Sequence, residues 1–409
     1  MPTAAEEHSF LKPILAAFAQ DGPRLIYADY LDESSQPDDI ARAEFIRVQL
    51  ALARIDDDHP QRRALVRRQN ELLLRWQPEW TKELHGLFAG CEFRRGLLDT
   101  VSVEAKYFCE AGERLFQNTA VRRVKFLDAS KRIDQLAQCP ALAHVRELDL
   151  CGNDLGNGGV NLLLRSPNLG QLESLDLSFN GIGDGGVQML ANAPSLTRLK
   201  SLFLNDNRTV GCAGMRALAQ SEHVRQLRTL DVSGNDIGDE GLCRLAESAT
   251  LTKLHRLRIH ANRVGDAGVQ ALAGSELLGR MLKRDGKLDL RENSIGVAGI
   301  KTLAAAPVMA LARTLDFGGN QLRDDGVLAL VESDSLARVR KLVLRQNRIG
   351  DAGAKGLAYS GLMAQLIHLD VSSNRITPRA IELLWGKRKD FQTTLESLGQ
   401  FGFSSTYAE

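Results

Sequence analysis

From about residue 148 onward, apolar and polar positions recur in a fixed arrangement. Two apolar residues stand five and three places before an asparagine, and a further apolar residue follows it. Leu175-Asp-Leu-Ser-Phe-Asn180-Gly-Ile182 is one copy. The nine asparagines are Asn153, Asn180, Asn207, Asn235, Asn262, Asn293, Asn320, Asn347 and Asn374, at spacings of 27, 27, 28, 27, 31, 27, 27 and 27 residues. A period in this range predicts a solenoid, so the fold can be argued from one turn and multiplied.

In that turn, alternation puts Leu175 and Leu177 on one face of a short strand and Asp176 on the other. Asn180 follows where the chain must bend inward. Its amide can both donate to and accept from neighbouring backbone, so the nine residues are expected to stack as a structural ladder; losing one leaves buried polar groups unpaired at about 1–3 kcal/mol. Asp184 is placed to cap a helix, as are Asp239, Asp266, Asp324 and Asp351. Val187, Leu190 and Ala191 then give that helix an apolar face, and Pro194, like Pro167 and Pro307, closes the turn. Strands stack about 4.8 Å apart whereas helices need about 8–10 Å. The mismatch bends the array, with the sheet inside and the helices outside.

The 27–28-residue period and the Leu-x-x-Leu-x-Leu-x-x-Asn-x-Leu core resemble the ribonuclease-inhibitor-like leucine-rich repeats over about residues 129–386. The fold class expected is therefore α/β: a leucine-rich-repeat horseshoe, parallel strands inside and helices outside, preceded by a small all-helical domain.

Four helical stretches make up that domain. Phe10, Ile14, Leu15 and Phe18 mark the first, and Asp21-Gly-Pro23 starts the second, which carries Leu25, Tyr27, Ala28 and Leu31. The third carries Phe45, Val48, Leu50 and Leu52, and the fourth runs toward Trp76. Asp21-Gly-Pro-Arg-Leu-Ile-Tyr-Ala-Asp-Tyr-Leu-Asp-Glu33, followed by Arg42-Ala-Glu-Phe-Ile-Arg-Val-Gln-Leu50, resembles the bacterial repeat-companion domain, with Tyr30 where its members usually carry Trp. That family has no established activity, so the resemblance implies architecture rather than chemistry. The division expected is residues 1–88 for this domain, 89–128 for a degenerate N-terminal capping repeat, 129–386 for the repeats and 387–409 for a C-terminal tail. In the capping repeat, 98–103 and 121–126 read as strands and 106–116 as a helix; after Trp385 the repeat stops and Lys387-Arg-Lys389 opens the tail.

Charge changes little. The chain has 52 basic and 51 acidic residues, and residues 1–90 have 11 against 15, so nothing pulls generally toward nucleic acid or membrane. The arginines of the fourth helix (Arg62, Arg63, Arg67, Arg68, Arg75) read as a solvated face before they read as a phosphate patch. Residues 1–10 carry Glu6 and Glu7 and no apolar run, unlike a signal peptide, and no apolar stretch reaches membrane-spanning length. Six scattered cysteines without metal spacing suit a reducing, cytoplasmic setting.

Chemistry is sparse. Gly181-Ile-Gly183-Asp-Gly-Gly186 matches a dinucleotide loop between strand and helix, but glycine recurs at the Gly186 position in eight of nine turns, which points to close helix-to-strand packing instead. No metalloprotease or serine-hydrolase motif occurs. Neither an enzyme, a cofactor nor a metal is expected.

The informative positions stand four and two places before each asparagine, on the inner face of the sheet. Asp and Ser are the common occupants. Phe203 with Asn205, Arg256 with Arg258 and His260, Lys287 with Arg291, and Lys341 with Val343 and Arg345 depart from them. Aromatic and arginine residues are the usual interface anchors, so the expected function is a protein–protein interaction scaffold binding a partner on this concave face through Phe203, Asn205, Arg256, Arg258, His260, Arg291, Val343 and Arg345. The alternatives are a regulator of a nucleotide-hydrolysing enzyme, like the leucine-rich GTPase activators, and nucleic-acid binding through the fourth helix, which near-neutral charge disfavours. Insertion of four residues at 277–286 is as readily a longer helix as a binding element. If the ladder holds, Asn235→Leu lowers the melting temperature while Ser233→Ala leaves it nearly unchanged, as a thermal scan of both variants would read out.

Overall fold

The computed structural model describes residues 4–56, 59–117 and 119–386. Lys387-Arg-Lys389 and the side chain of Trp385 lie outside the described residues. The chain forms two compact units, one of residues up to 154 with 162–176, the other of 155–161 with 177 onward.

In the first unit, four helices lead: α1 (Ala4–Ala16), α2 (Gly22–Asp32), α3 (Pro37–Arg54) and α4 (Arg62–Trp80). Proline opens α2 and α3 where no amide donor is lost, and Asp38 and Asp39 sit in the first turn of α3. Ile14, Ala28, Leu31 and Ile46 form one apolar cluster, and Phe45 packs against Trp80 and Phe93 at centroid distances of 5.1 and 5.6 Å. Asp29 and Glu44, on α2 and α3, have structural partners. Asp29 binds Arg47 at 2.7 Å, and Glu44 binds Arg68 at 2.6 Å.

A hairpin follows that the residue pattern did not announce. Strand β1 (Gly90–Arg94) pairs antiparallel with β2 (Leu97–Val103) across Arg95 and Gly96, both at positive φ (51° and 87°). From β2 the pairing turns parallel, to β3 (Arg123–Phe126), β4 (Glu147–Asp149) and β5 (Ser174–Asp176). The first strand of the capping region therefore adds a hairpin before the repeats begin.

In the second unit, β6 (Ser201–Phe203), β7 (Thr229–Asp231) and β8 (Arg256–Arg258) form a parallel sheet. Strands β9 (Lys287–Asp289), β10 (Thr314–Asp316), β11 (Lys341–Val343) and β12 (His368–Asp370) form another. Each strand is centred on the first leucine of its motif, which is buried, with its two flanking residues on the open face. A helix follows each strand and lies on the other side of the sheet, closing an α/β repeat. The four extra residues before β9 extend the return into a helix, Glu276–Asp285, which Ser275 caps by accepting from the Leu278 amide and Gly286 ends at φ 67°.

The asparagines are buried rungs. Asn207 shows the bonding in full: its Oδ1 accepts from the backbone amides of Asn180 and Ile182, both at 3.0 Å, and its Nδ2 donates to the carbonyls of Leu177 (3.0 Å) and Leu204 (2.9 Å). Asn293 and Asn374 repeat the arrangement. Asn235 does not. Its Nδ2 donates to Leu204 and Val232 oxygens at 2.9 Å, but its Oδ1 has no hydrogen-bond partner. The 28-residue interval explains this. The extra residue turns the Thr209 amide back onto Asn207 O (2.8 Å), so the donor that would reach Asn235 is used locally. Ser233 is no inert neighbour either: it is buried and its Oγ donates to Asp231 Oδ1 at 2.6 Å.

A second ladder corrects the expectation for the aspartates. Asp184 does not cap its own helix, Asp184–Ala191; its Oδ1 accepts from the amides of Gly211 and Gly214 at the start of the next repeat's helix, at 2.7 and 2.8 Å. Asp239, Asp266, Asp324 and Asp351 reach forward in the same way, and Asn157 does so for Gly183 and Gly186. The recurring glycine has two causes: close packing against the apolar residue that follows the asparagine, which would leave a Cβ on Gly159, Gly241 or Gly326 only 2.7–3.0 Å from Leu155, Ile237 or Leu322, and, in five turns, the side-chain oxygen reaching forward from the preceding repeat. A Cβ on Gly214 would lie 2.8 Å from Asp184 Oδ1, and one on Gly186 would lie 2.7 Å from Asn157 Oδ1. The apparent dinucleotide loop at 181–186 thus has its helix N-terminus already occupied by a side-chain oxygen.

Asn293→Leu removes two accepted amide bonds that Asn235→Leu leaves untouched. It is expected to destabilise the array by about 1–3 kcal/mol more than Asn235→Leu, and chemical denaturation of the two variants side by side checks the order.

Candidate functional site

The open face of the second unit's sheet is made by the residues flanking each central leucine and by the pair that follows. An aspartate four places before the ladder asparagine has a local task there. Asp231, Asp289, Asp316 and Asp370 each accept from the amide two residues on, at 2.9–3.2 Å, ending the strand much as an Asx turn does, and Asp149 does the same in the first unit. Phe203, Arg258 and Val343 stand in that slot without such an acceptor.

Position by position, the expected binding residues differ in what they offer. Arg256 is exposed, as are Lys287 and Lys341 in the equivalent slots of their strands. The side chain of Arg258 is 60 % exposed but binds Asp231 at 3.1 Å, and it does not bridge to Asp289, which pairs instead with Arg291 at 3.0 Å. Arg291 also lies 3.2 Å from His260 Nε2, and Arg345 reaches Glu292 at 3.4 Å. The band is thus a lattice of ion pairs with exposed heads rather than a free cationic stripe. Asn205 accepts from Ser178 Oγ at 2.5 Å and donates to Asp206 at 3.0 Å, which fixes its amide. Phe203 is half-buried, and Val343, only 7 % exposed, offers little area.

Phe179 belongs to the same face, although its place inside the repeat motif gave no sign of it. It is 56 % exposed and sits at φ 56°, with its amide bonded to Asn205 O at 3.0 Å. The slot before the ladder asparagine is left-handed in neighbouring turns too, where glycine, alanine and polar residues occupy it: Gly234, Ala261, Glu292, Gly319, Gln346 and Ser373. A bulky aromatic at positive φ is disfavoured. The signal available in the sequence was a phenylalanine in a slot that otherwise holds only small or polar residues.

Electrostatics on this face are uneven. Burial raises the Asp316 carboxyl above its ordinary range, and Asp289 beside it adds to the effect against the Gly318 amide, which lowers it. Burial and then Lys341 depress His368, while Asp370 opposes them. Elsewhere the chemistry is quiet. Burial pushes the Cys91 and Cys109 thiols up to about 11, which keeps them protonated at neutral pH. A recess of about 480 Å³ in the first unit is lined by Arg42, Lys82 and Arg114, but Lys82 is paired with Glu79, Arg114 binds Glu83 O, and Arg42 lies over the Trp80 ring. On α4, Arg68 pairs with Glu44 and Glu71, and Arg75 lies over Trp76, so the arginine face there is partly consumed within the domain. Among the described residues, no three His, Cys, Asp or Glu side chains cluster as metal ligands, and no helix is long and apolar enough to cross a membrane.

Six stretches, residues 141–164, 172–191, 225–246, 250–273, 313–331 and 339–358, match the family model described as Leucine Rich repeat. The turns of Asn207 and Asn293, which carry Phe203 and Arg291 and adjoin the 28- and 31-residue intervals, fall outside the matched stretches. Among solved structures the chain is similar to an internalin from Listeria monocytogenes, with 16 % identity, 89 % of this chain and 96 % of that chain covered, and a TM-score of 0.43. It is also similar to the Rad7 and Elc1 complex of yeast, with 16 % identity, 85 % and 79 % covered, and a TM-score of 0.40. No curated protein sequence matches it.

Asp316→Asn keeps the acceptor for the Gly318 amide and removes a half-buried charge facing Asp289. Because the folded-state carboxyl titrates above 3.8, its ionisation penalises folding at neutral pH, and that penalty disappears once pH falls below 3.8. The variant should melt higher than the parent at pH 7, with the gap closing as pH falls through the raised value; melts across pH 3–7 test this.

Proposed function

We propose that the chain is a non-enzymatic scaffold that seats a protein partner on the open face of the repeat sheet. Leucine-rich repeats support a protein-binding reading in general. What supports this face in particular is that three strands give up the strand-ending aspartate in favour of Phe203, Arg258 and Val343. Phe179, exposed at a disfavoured backbone angle on the neighbouring turn, joins them. Backbone strain held at an exposed aromatic is the kind of local cost that a binding contact offsets.

The anchors in this reading are Phe179, Phe203, Arg256, Arg258 and Arg345, with His260, Asn205 and Arg291 orienting them and Val343 filling between. An interfacial arginine already paired to an aspartate arrives with its geometry set, which lowers the ordering cost on binding. The repeat period supports the ribonuclease-inhibitor-like type, and residues 1–88 read as a repeat-companion-like module in front of it. Six free thiols without a disulfide support a cytoplasmic location.

The combination Phe179→Ala/Phe203→Ala/Arg258→Glu/Arg345→Glu should weaken a partner captured by in-cell crosslinking at least about tenfold, as removal of several anchors does. A Lys301→Glu/Lys355→Glu variant, altered on exposed helices behind the sheet, should leave capture unchanged. Equal capture by all three proteins, with equal melting temperatures, overturns the assignment of this face.

A further inference from the structure

The near-neutral total charge conceals a segregation within the second unit. In six consecutive repeats, the seven residues that end on the first strand residue are 195–201, 223–229, 250–256, 281–287, 308–314 and 335–341. Together they carry thirteen lysines and arginines and one acidic residue, Asp285. The seven residues that begin one place before each ladder asparagine, at the other end of the same strands, carry four cations and nine carboxylates. In the first unit, the corresponding stretches 141–147 and 168–174 hold one arginine and two glutamates, so the bias is no general property of the repeat.

Six of the thirteen carry the charge of this edge. Arg228, Arg256, Lys283, Lys287, Arg338 and Lys341 are all exposed, and none makes an ion pair with a carboxylate among the described residues. Asp285 accepts from the Lys287 amide at 3.1 Å rather than from a cationic side chain, and the further acidic residues Glu222, Glu247 and Asp334 stand earlier in the connections; Glu222 meets only Arg225 among the described residues, at 4.0 Å. On the opposite edge the carboxylates are engaged instead, with Asp239, Asp266, Asp324 and Asp351 capping the next helix.

We propose that this edge of the second unit binds the phosphate backbone of a nucleic acid without reading its sequence. Paired strand starts are about 5 Å apart, so each of the two sheets presents three of the six cation clusters at regular intervals along this edge. Nucleic acid is a polymer whose charges are also regularly spaced, one per about 1.7 Å of duplex axis. The edge carries no run of exposed aromatic side chains on which bases would stack, and its cations stand in a row spread over successive repeats rather than on a helix or ribbon that would enter a groove, so the contact is with phosphate. An acidic protein segment would bring irregular charge spacing and would need apolar anchors that these connections do not supply. The edge is distinct from the sheet-face anchors, with only Arg256 common to both.

The test is fluorescence anisotropy of a labelled mixed-sequence duplex with the full chain, across a salt series. Two triple variants carry the same change of net charge: Arg228→Glu/Lys283→Glu/Arg338→Glu on the basic edge, and Arg208→Glu/Arg263→Glu/Arg348→Glu on the opposite edge. The parent should bind at low salt, with affinity falling steeply as salt rises. The basic-edge variant should bind at least about tenfold more weakly and show a salt slope flatter by up to about 3, roughly one for each phosphate that the variant no longer neutralises. The opposite-edge variant should stay within about twofold of the parent, and melting temperatures establish that both variants are folded. No binding by the parent at low salt overturns the proposal, and so does equal weakening by both variants. Poly-glutamate that displaces the duplex at equal charge concentration, or binding confined to anionic vesicles, assigns the edge to another partner class and equally overturns it.

Discussion

A solenoid turn is too small to satisfy its own backbone. Each bend between strand and helix, and each helix start, leaves amides and carbonyls that no ladder of strands reaches, and burying them unpaired would cost more than the apolar contacts of one turn return. This chain solves the problem twice at most junctions, with side chains from the adjacent repeat; the turns that carry Cys212 and Val297 in place of the aspartate keep only the asparagine rung. The asparagine reaches back to the bend before it: Asn207 serves the amides of Asn180 and Ile182. The aspartate at the helix start reaches forward: Asp184 serves those of Gly211 and Gly214. With one rung pointing each way, the register between neighbouring repeats is set at the strand end and at the helix start together.

Much of the sequence follows from that pair of contacts. Glycine recurs near the helix start because the apolar residue after the asparagine packs against it and, at Gly214, Gly268, Gly299 and Gly353, because the carboxylate of the previous turn does as well. A residue at positive φ precedes the asparagine because the chain must double back there to offer its amides. Where the period lengthens by one residue, at Arg208–Val210, the donor turns inward and Asn235 is left without its acceptor function. These positions are thereby closed to other uses, the phosphate-loop look-alike among them. What remains free is the strand face and the connection that enters each strand. On the face, aspartates that end strands yield to Phe203, Arg258 and Val343. On the entering connections, cations collect through six repeats.

Legibility in the sequence followed the range of the interaction concerned. The nine strands of the periodic region lie where the leucine pairs put them, because alternation is decided within five residues. Helix faces such as Val187, Leu190 and Ala191 are buried as their spacing required. The hairpin strand β1 was invisible, since Gly-Cys-Glu-Phe-Arg has little apolar alternation and owes its pairing to β2. Phe179 stands in plain view inside the repeat motif, yet its exposure and backbone angle are properties of the folded turn.

Within the periodic region, the sequence by itself determined the repeat, its length, the class of its strands and helices and their apolar faces, all of which are set by periodicity and local propensity. Only the tertiary structure decided where the polar side chains go. Asp184 reads locally as the cap of its own helix, yet the amides it accepts from lie 27 and 30 residues further on. Arg258 stands in the sequence between Asp231 and Asp289, and in the fold it takes the first and leaves the second to Arg291. A hydrogen bond or ion pair needs its two groups, here a full turn apart in the chain, placed to within a few tenths of an ångström, and that placement exists only once the turns are stacked.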